Sequence, residues 1–317
     1  MDLLDSFLIS NGISYEKNTD LKKKTWIKTG GIVSRWIQPK MLDELIETVR
    51  FLQKNNLDYE IVGFTSNIYY LDSYNPSIII STKSLKSYND GVEFISCECG
   101  TPVASIARYA VSRGYKGFAG LVNLPGTVAA AIYNNSSCFG CSVSSLLQEV
   151  KILDSWGGVS SLHPEDFSFK HRFSKFKSGE LKGVILSVKL KKVLGSIDKE
   201  VEYARNASIQ RKKTQGSYSL TLGSVYSKFL KRNNFKNLFI RFAGVFYRFK
   251  ILSMKQLILI QLYLYGYKDL VNCVSMNNLN TFIWNKNEVD IYQKFIRYQQ
   301  FMNKEFDNPV LEIEIRG

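Results

Sequence analysis

Residues 123–140 form a stretch of bends and small side chains that suits phosphate binding, Asn-Leu-Pro-Gly-Thr-Val-Ala-Ala-Ala-Ile-Tyr-Asn-Asn-Ser-Ser-Cys-Phe-Gly. Pro125 and Gly126 predict a tight bend, and Thr127 is a suitable N-cap for a helix that starts at Val128. A helix that starts after such a bend presents free main-chain N–H groups, which bind phosphate or pyrophosphate together with the helix dipole. The alternative is a turn before a short buried helix.

Three other segments carry side chains that could act on an anionic substrate. Arg172 lies in a basic segment, and its planar, permanently charged group can hold a carboxylate or stabilise an enolate. Ser224 follows Gly223, which lets the backbone approach a ligand closely. Glu312 and Glu314 alternate along a predicted strand, so both acids are expected on one side of it. Taken alone, the three segments could also be a basic surface loop, a turn and a solvent-facing edge strand.

The elements that position these residues follow from hydrophobic periodicity. A strand over 33–37, a helix over 40–55 and a strand over 59–62 give a β-α-β opening. Asp154-Ser-Trp-Gly-Gly158 lies between two strand-like runs and predicts a hairpin. We therefore predict a mixed α+β domain over residues 1–200, with two subdomains split near 65–75. A charged, helical connector then leads into a smaller α+β domain over 201–317, whose last strand runs from Val310 to Ile315.

Composition narrows the class of protein. The chain has 317 residues, 45% of them hydrophobic, which indicates a packed globular protein. A net charge of +14 suits an anionic partner such as nucleic acid, a membrane surface or a phosphorylated metabolite. Five scattered cysteines and two histidines predict neither a disulfide framework nor a metal site. The acidic N-terminus lacks the basic region of a signal peptide, and no apolar run reaches a membrane span, so we expect a cytoplasmic protein.

The motifs together resemble those of the UDP-N-acetylenolpyruvoylglucosamine reductase, or MurB, family. Leu-Pro-Gly-Thr-Val with its following Asn and Phe-Gly is similar to the family's flavin-binding stretch, IPGTVGGAxxxNAGAYG. Gly63-Phe-Thr-Ser-Asn67 stands where the family has its GGGSN phosphate loop. Arg172, Ser224 and Glu314 fall in segments similar to FGYRDSRFK, PSAGSVFKNP and LEPEVRIIG. The resemblance covers most of residues 20–235 and the last few residues.

The resemblance implies a two-lobed FAD-binding domain, followed by a smaller α+β substrate-binding domain. It implies a protein that binds FAD, uses NADPH and acts on a UDP-sugar. From the charge and the short apolar runs we expect no nucleic-acid partner and no membrane span, and we also expect a monomer. Arg172, Ser224 and Glu314 would be catalytic, with Glu312 as the fallback for Glu314. The cofactor-binding residues it implies are Gly63, Ser66, Asn67, Pro125, Gly126, Thr127, Asn135 and Gly140.

The implied reaction is the reduction of UDP-N-acetylglucosamine enolpyruvate to UDP-N-acetylmuramate in peptidoglycan synthesis. NADPH would reduce the flavin, and the flavin would deliver hydride to the outer carbon of the enolpyruvyl double bond. Arg172 and Glu314 would stabilise the enolate, and Ser224 would protonate the adjacent carbon.

The sequence departs from the family pattern in the phosphate loop, where Phe64 and Thr65 replace glycines. A side chain at position 64 would restrict the backbone and crowd a pyrophosphate. Two alternatives therefore stay open. One is a basic ligand- or nucleic-acid-binding protein on a degenerate flavoprotein scaffold, and the other is an FAD oxidase of the same fold with another substrate.

Overall fold

A computed structural model describes residues 2–215, 221–231, 235–284 and 290–317. The chain divides into two compact units. The first unit comprises Met1–Ser66 and Asp72–Ser208, and the second comprises Asn67–Leu71 and Ile209–Gly317. Asn67 thus belongs to the second unit although Ser66, its neighbour in sequence, belongs to the first.

The helices and strands are bounded as follows. The α-helices are α1 Leu3–Ser10, α2 Leu42–Lys54, α3 Val103–Ser112, α4 Val128–Tyr133, α5 Val143–Leu146, α6 Lys175–Ser178, α7 Ile197–Gln215, α8 Phe235–Arg248, α9 Met254–Tyr265 and α10 Ile291–Glu305. The strands are β1 Tyr15–Asp20, β2 Ile32–Ile37, β3 Glu60–Val62, β4 Ile68–Tyr70, β5 Ile78–Ser81, β6 Tyr88–Asp90, β7 Phe94–Glu98, β8 Ser137–Cys138, β9 Cys141–Ser142, β10 Leu147–Leu153, β11 Val159–Leu162, β12 Val184–Lys191, β13 Tyr226–Lys231, β14 Val274–Ser275, β15 Asn278–Phe282, β16 Phe306–Leu311 and β17 Glu314–Arg316.

The first unit opens on a four-stranded sheet of order β1-β2-β5-β3. β2, β5 and β3 run parallel, and α2 connects β2 to β3, which confirms the predicted β-α-β opening. Leu45, Val49 and Leu52 repeat at helical spacing along α2 and are fully buried in the core of this sheet. The carboxyl end of β3 leads directly into Gly63, so this sheet positions the predicted phosphate loop.

A second, antiparallel sheet of order β11-β10-β12-β7-β6 builds the rest of the first unit. β10 and β11 form the predicted hairpin, with Leu153 opposite Val159. Helices α3 and α4 bury Ile106, Ala110 and Ile132 in the core of this sheet. Ala129 packs against this core and against that of the first sheet. α4 therefore starts where the two cores of the unit meet.

The second unit contains short strand pairs and the helices α8, α9 and α10. Its centre is aromatic: the rings of Tyr69 and Trp284 stack with centroids 4.1 Å apart, and Phe282, Phe295 and Tyr298 pack around them. Helix α10 buries Phe295, Tyr298, Phe301 and Met302. None of the helices in the described ranges is long and apolar enough to cross a membrane.

The predicted strand from Val310 to Ile315 is wrong in its continuity. β16 ends at Leu311 and pairs antiparallel with β13, whereas β17 begins at Glu314 and pairs in parallel with β4. The chain changes its pairing partner across Glu312 and Ile313. The predicted functional domains 1–200 and 201–317 stay predictions, because compact units defined by packing do not assign a ligand to either part.

Candidate functional site

Two loops of the first unit pack directly on each other, Gly63–Ser66 and Pro125–Thr127. A Cβ atom built on Gly63 would lie 2.6 Å from Thr127 Oγ1 and 2.8 Å from Thr127 Cγ2. Ser66 Oγ donates a hydrogen bond of 3.3 Å to the Pro125 carbonyl. Glycine is therefore required at position 63 by the space available, because any side chain would push the loops apart. The structure thus brings together five of the predicted cofactor-binding residues, Gly63, Ser66, Pro125, Gly126 and Thr127.

The prediction that the start of α4 presents free main-chain N–H groups is wrong. The N–H groups that open α4 are already used: Val128 donates to Thr101 O at 2.9 Å and Ala129 to Cys99 O at 3.2 Å. The Ala130 N–H donates to Thr127 Oγ1, so Thr127 is the N-cap that the sequence predicts. The physical reason is that the helix start lies against the loop before α3, whose carbonyl groups take these donors.

The main-chain N–H groups that remain available lie in the loop Gly63–Ser66 and directly before α4. Among the described residues, the main-chain N–H groups of Phe64, Ser66, Gly126 and Thr127 have no hydrogen-bond acceptor. Gly126 has a φ of 126°, a conformation that glycine adopts at low cost. Four main-chain donors on two adjacent loops suit a diphosphate, which has many acceptor oxygens and negative charge.

Phe64 does not strain the phosphate loop, but Thr65 does. Phe64 keeps a negative φ and is half-buried, so its side chain does not restrict the backbone as the sequence had led us to expect. Thr65 is buried and has a φ of 55°, which is rare for a β-branched residue. Its Oγ1 accepts from the Trp26 N–H at 2.8 Å. This hydrogen bond explains why a threonine can occupy a position where the MurB pattern has glycine.

The polar end of the 123–140 stretch forms a tight hairpin. β8 and β9 pair Cys138 with Cys141, and the turn residues Phe139 and Gly140 have φ values of 42° and 75°. Positive φ at both central residues is typical of a two-residue hairpin turn. Gly140 is also confined by Tyr203, whose Oη would lie 2.7 Å from an added Cβ. Gly140 therefore makes the second bend that the sequence predicts.

The loop that carries Arg172 is tied to this hairpin. Lys170 and Phe173 exchange main-chain hydrogen bonds, which places Arg172 in the turn with a φ of 55°. Asn135 Nδ2 donates to Lys170 O at 2.8 Å, and Arg172 Nη2 donates to Ser137 O at 3.3 Å. Asn135 is buried, so its amide acts here as a clamp between the two segments. The structure thus links the predicted catalytic arginine to the predicted cofactor stretch within one unit.

Ser224 and Glu314 belong to the second unit, where a main-chain network connects their neighbours. The Glu312 N–H donates to Val225 O at 2.8 Å, and the Glu314 N–H donates to Asn67 O at 2.9 Å. Asn67 Nδ2 donates to Glu312 O at 3.1 Å. Asn67 therefore joins the segments of both acids, and its amide is committed to this task in the second unit. Whether it also contacts a cofactor stays a prediction.

The two acids at the end of the chain have different surroundings. The expectation that Glu312 and Glu314 lie on the same side of one strand is wrong, because the chain changes partner between β16 and β17. Glu314 Oε2 accepts from Arg316 Nη2 at 2.8 Å, and 18% of the Glu314 side chain is exposed. An acid held by a neighbouring guanidinium in a partly accessible position is suited to contact a polar substrate. Glu312 is half-buried as well, and the choice between the two acids stays a prediction.

The five cysteines are buried or half-buried. None of the five forms a disulfide, and burial raises the pKa values of Cys97 and Cys99 to about 12. A thiol with such a pKa has very little of the nucleophilic thiolate at neutral pH. Within the described part of the chain, no group of three or more His, Cys, Asp or Glu side chains could hold a metal ion.

Comparison with known proteins agrees with this geometry. Residues 33–162 match the family described as "FAD binding domain". The chain is 27% identical over 233 residues to UDP-N-acetylenolpyruvoylglucosamine reductase from Caldicellulosiruptor saccharolyticus, covering 74% of each chain. It is 29% identical over 245 residues to the enzyme of that name from Caldicellulosiruptor bescii, covering 76% of each.

A solved structure extends the likeness to the whole fold. The crystal structure of MurB from Thermus caldophilus aligns with a TM-score of 0.67 at 19% identity, covering 96% of this chain and 99% of that one. The chain is similar in sequence and in fold to proteins of the MurB family. The predicted α+β fold, with an FAD-binding domain followed by a C-terminal region, is thereby confirmed. The residues present fit FAD. The two loops still offer main-chain N–H groups without an acceptor, although Phe64 and Thr65 replace glycines.

Sequence reasoning missed the supports of the site. Asn280 is buried and brackets Tyr226, accepting from its N–H at 2.9 Å and donating to its carbonyl at 2.7 Å. This clamp fixes the strand that follows Ser224. No local pattern marks Asn280, since its partner lies 54 residues away in the chain. The same holds for Trp26, which is remote in sequence from Thr65.

Proposed function

We propose that this protein is an FAD-dependent reductase that uses NADPH to convert UDP-N-acetylglucosamine enolpyruvate into UDP-N-acetylmuramate. The reaction belongs to peptidoglycan precursor synthesis, and we place it in the cytoplasm. The observation that carries the proposal is the pair of loops Gly63–Ser66 and Pro125–Thr127. Their close packing and unused N–H groups suit the diphosphate of FAD, in a chain similar to proteins of the MurB family.

The cofactor-binding residues of this proposal divide by task. Gly63 provides space, while Gly126 and Thr127 contribute donors and Ser66 contributes both a donor and the contact to Pro125. Asn135 and Gly140 shape the hairpin that holds the arginine loop. The excess of Lys and Arg suits NADPH and a uridine diphosphate sugar, which both carry several negative charges.

FAD, held by the loops Gly63–Ser66 and Pro125–Thr127, would supply the chemistry of hydride transfer from NADPH to the methylene carbon of the enolpyruvyl group. Arg172 would bind the substrate carboxylate and stabilise the enolate that the addition produces. Glu314, paired with Arg316, would act with Arg172 in stabilising the enolate, as the resemblance implies. Ser224 Oγ would give its proton to the carbon next to the carboxylate and recover a proton from solvent. The sum consumes one NADPH and one proton and yields the lactyl ether.

The cofactor part of the proposal is tested on the purified protein. Denaturation should release FAD into the supernatant, and the apoprotein should regain a flavin spectrum when FAD is added back. Anaerobic NADPH should then bleach the flavin absorbance. Protein that neither releases FAD nor takes it up after reconstitution contradicts the proposal.

A further inference from the structure

The positive charge of the chain is concentrated in one segment. Residues 203–268 contain thirteen Lys and Arg and no Asp or Glu, against a net charge of +14 for all 317 residues. The remainder of the chain is therefore close to neutral. A segment of this kind attracts an anionic partner, and the attraction is not weakened by acids of its own.

Helix α8 lies in this segment and exposes its apolar face, which a helix of a globular protein usually buries. Its large apolar residues Leu238, Phe239, Phe242, Val245 and Phe246 are exposed by 48%, 57%, 61%, 46% and 49%. The spacing i, i+1, i+4, i+7, i+8 places them on one side, which in most helices faces a core. Among the α8 side chains that the structure describes, those of Ile240 and Ala243 are buried.

The apolar face continues beyond the helix and is flanked by cations. Phe249 and Ile251, in the turn to α9, are exposed by 71% and 66%. Arg241 and Arg248 lie two turns apart on one flank of α8, and both are exposed, as is Lys250. Arg248 and Lys250 also line an open depression at the turn. We refer to residues 238–251 as the basic apolar face.

We propose that the basic apolar face docks on the surface of an anionic phospholipid bilayer. An interfacial helix inserts apolar side chains at the boundary of headgroups and acyl chains, while Lys and Arg contact the phosphates. A nucleic acid would use the cations and could stack bases on the phenylalanines. It would leave Leu238, Val245 and Ile251 exposed, because these residues have no ring for stacking. The mixed aliphatic and aromatic character therefore favours lipid, and this inference does not depend on the proposed reaction.

The test is co-sedimentation of the full chain with vesicles. Vesicles of equimolar phosphatidylglycerol and phosphatidylcholine should bind the protein, and vesicles of phosphatidylcholine alone should bind it far less. The variant Phe239→Ser, Phe242→Ser, Phe246→Ser should lower the partition coefficient by about tenfold or more. Replacing Arg241, Arg248 and Lys250 by Gln should lower it about fivefold per charge, and added salt should do the same.

A matched control removes exposed apolar residues elsewhere. Val92, Trp156 and Leu194 are exposed by 96%, 95% and 75% and lie in the first unit. Their replacement by Ser should leave vesicle binding unchanged. Circular dichroism and thermal melting check that each variant is folded. A second measurement leaves the basic apolar face intact. Phe242→Trp should show blue-shifted fluorescence with anionic vesicles, whereas Val92→Trp should not.

Three results would overturn the proposal. The first is equal binding of the phenylalanine variant and the wild-type protein to anionic vesicles. The second is a dimer that the same variant dissociates, with no vesicle binding, which would make the face a contact between two copies of the chain. The third is tight binding of single-stranded DNA by a protein that ignores vesicles.

Discussion

The two units hold their candidate residues in different ways. In the first unit, side-chain size decides the geometry: Gly63 and Thr127 are so close that a single added carbon would lie 2.6 Å from the threonine hydroxyl. In the second unit, hydrogen bonds between distant segments decide it: the main chain of Glu312 donates to the Val225 carbonyl and accepts from the Asn67 side-chain amide. A site specified by size leaves a local sequence motif, whereas a site specified by distant partners does not. This explains why the family resemblance is clearer in the first unit.

The largest expected effect comes from Ser224 in the second unit. Ser224→Ala should lower turnover of the enolpyruvyl substrate by roughly 10²- to 10⁴-fold, the usual loss on removing a positioned acid. Reduction of the flavin by NADPH should continue at nearly the wild-type rate, since that step takes no proton from Ser224. Stopped-flow absorbance of the flavin measures the two steps separately. Normal turnover, or loss of flavin reduction instead, would show that Ser224 is not the proton donor.

The next effect compares one ion cluster from each unit. In the first unit, Arg35 Nε and Lys17 Nζ lie 2.6 and 2.7 Å from the buried Asp5 carboxylate. The hydrogen bond from Arg35 holds the pKa of Asp5 well below its usual value, although burial acts to raise it. Asp5→Asn should therefore lower the free energy of unfolding at neutral pH by about 3 kcal/mol.

The direction of the pKa shift determines the pH range in which Asp5 stabilises the fold. Because the pKa of Asp5 is lower when folded, its contribution is complete above the unfolded value of about 4 and is lost as pH falls below it. The difference between Asp5→Asn and wild type should shrink in acid.

In the second unit, Asp269 is 31% exposed, and its hydrogen bond to Arg297 lowers its pKa. Asp269→Asn should cost about 1 kcal/mol or less. Urea unfolding at several pH values measures both, and equal costs would contradict the assigned difference in burial.

A smaller effect tests the close packing of the first unit. Gly63→Ala should lower the free energy of unfolding by about 1 to 3 kcal/mol through overpacking, and should weaken FAD binding. Gly244→Ala is the matched control, because nothing lies within 4 Å of its added Cβ and the residue is helical. That change should raise stability by up to about 1 kcal/mol and leave FAD binding intact. If both variants bind FAD like the wild-type protein, the two loops do not hold the cofactor.

The smallest effect tests whether Asn67 belongs to the network of the second unit. Asn67→Ala removes the donor to Glu312 O and should lower the free energy of unfolding by about 1 kcal/mol. Turnover should fall more than FAD affinity. Asn11→Ala, which removes an exposed amide from the Phe7 carbonyl, should change neither. Loss of FAD affinity at unchanged stability would instead place the Asn67 amide on the cofactor, as the resemblance implies.

The sequence predicts the elements of this protein better than their partners. The apolar repeat of α2 and the alternation around Asp154 mark a helix and a hairpin, because each pattern reports one local face. The break between Leu311 and Glu314 is invisible locally, since it arises from a change of pairing from β13 to β4. The sequence likewise does not show that the first N–H groups of α4 are already hydrogen-bonded, or that α8 exposes its apolar face. Both depend on what lies against the helix, which periodicity does not record.

The most direct test of the central claim is a single turnover in the absence of oxygen. The purified protein is loaded with FAD, reduced with one equivalent of NADPH and mixed with UDP-N-acetylglucosamine enolpyruvate. We expect the oxidised flavin spectrum to return as UDP-N-acetylmuramate forms in an amount equal to the enzyme, identified by mass spectrometry. A flavin that stays reduced until oxygen is admitted, with the enolpyruvyl sugar recovered unchanged, would contradict the proposed function.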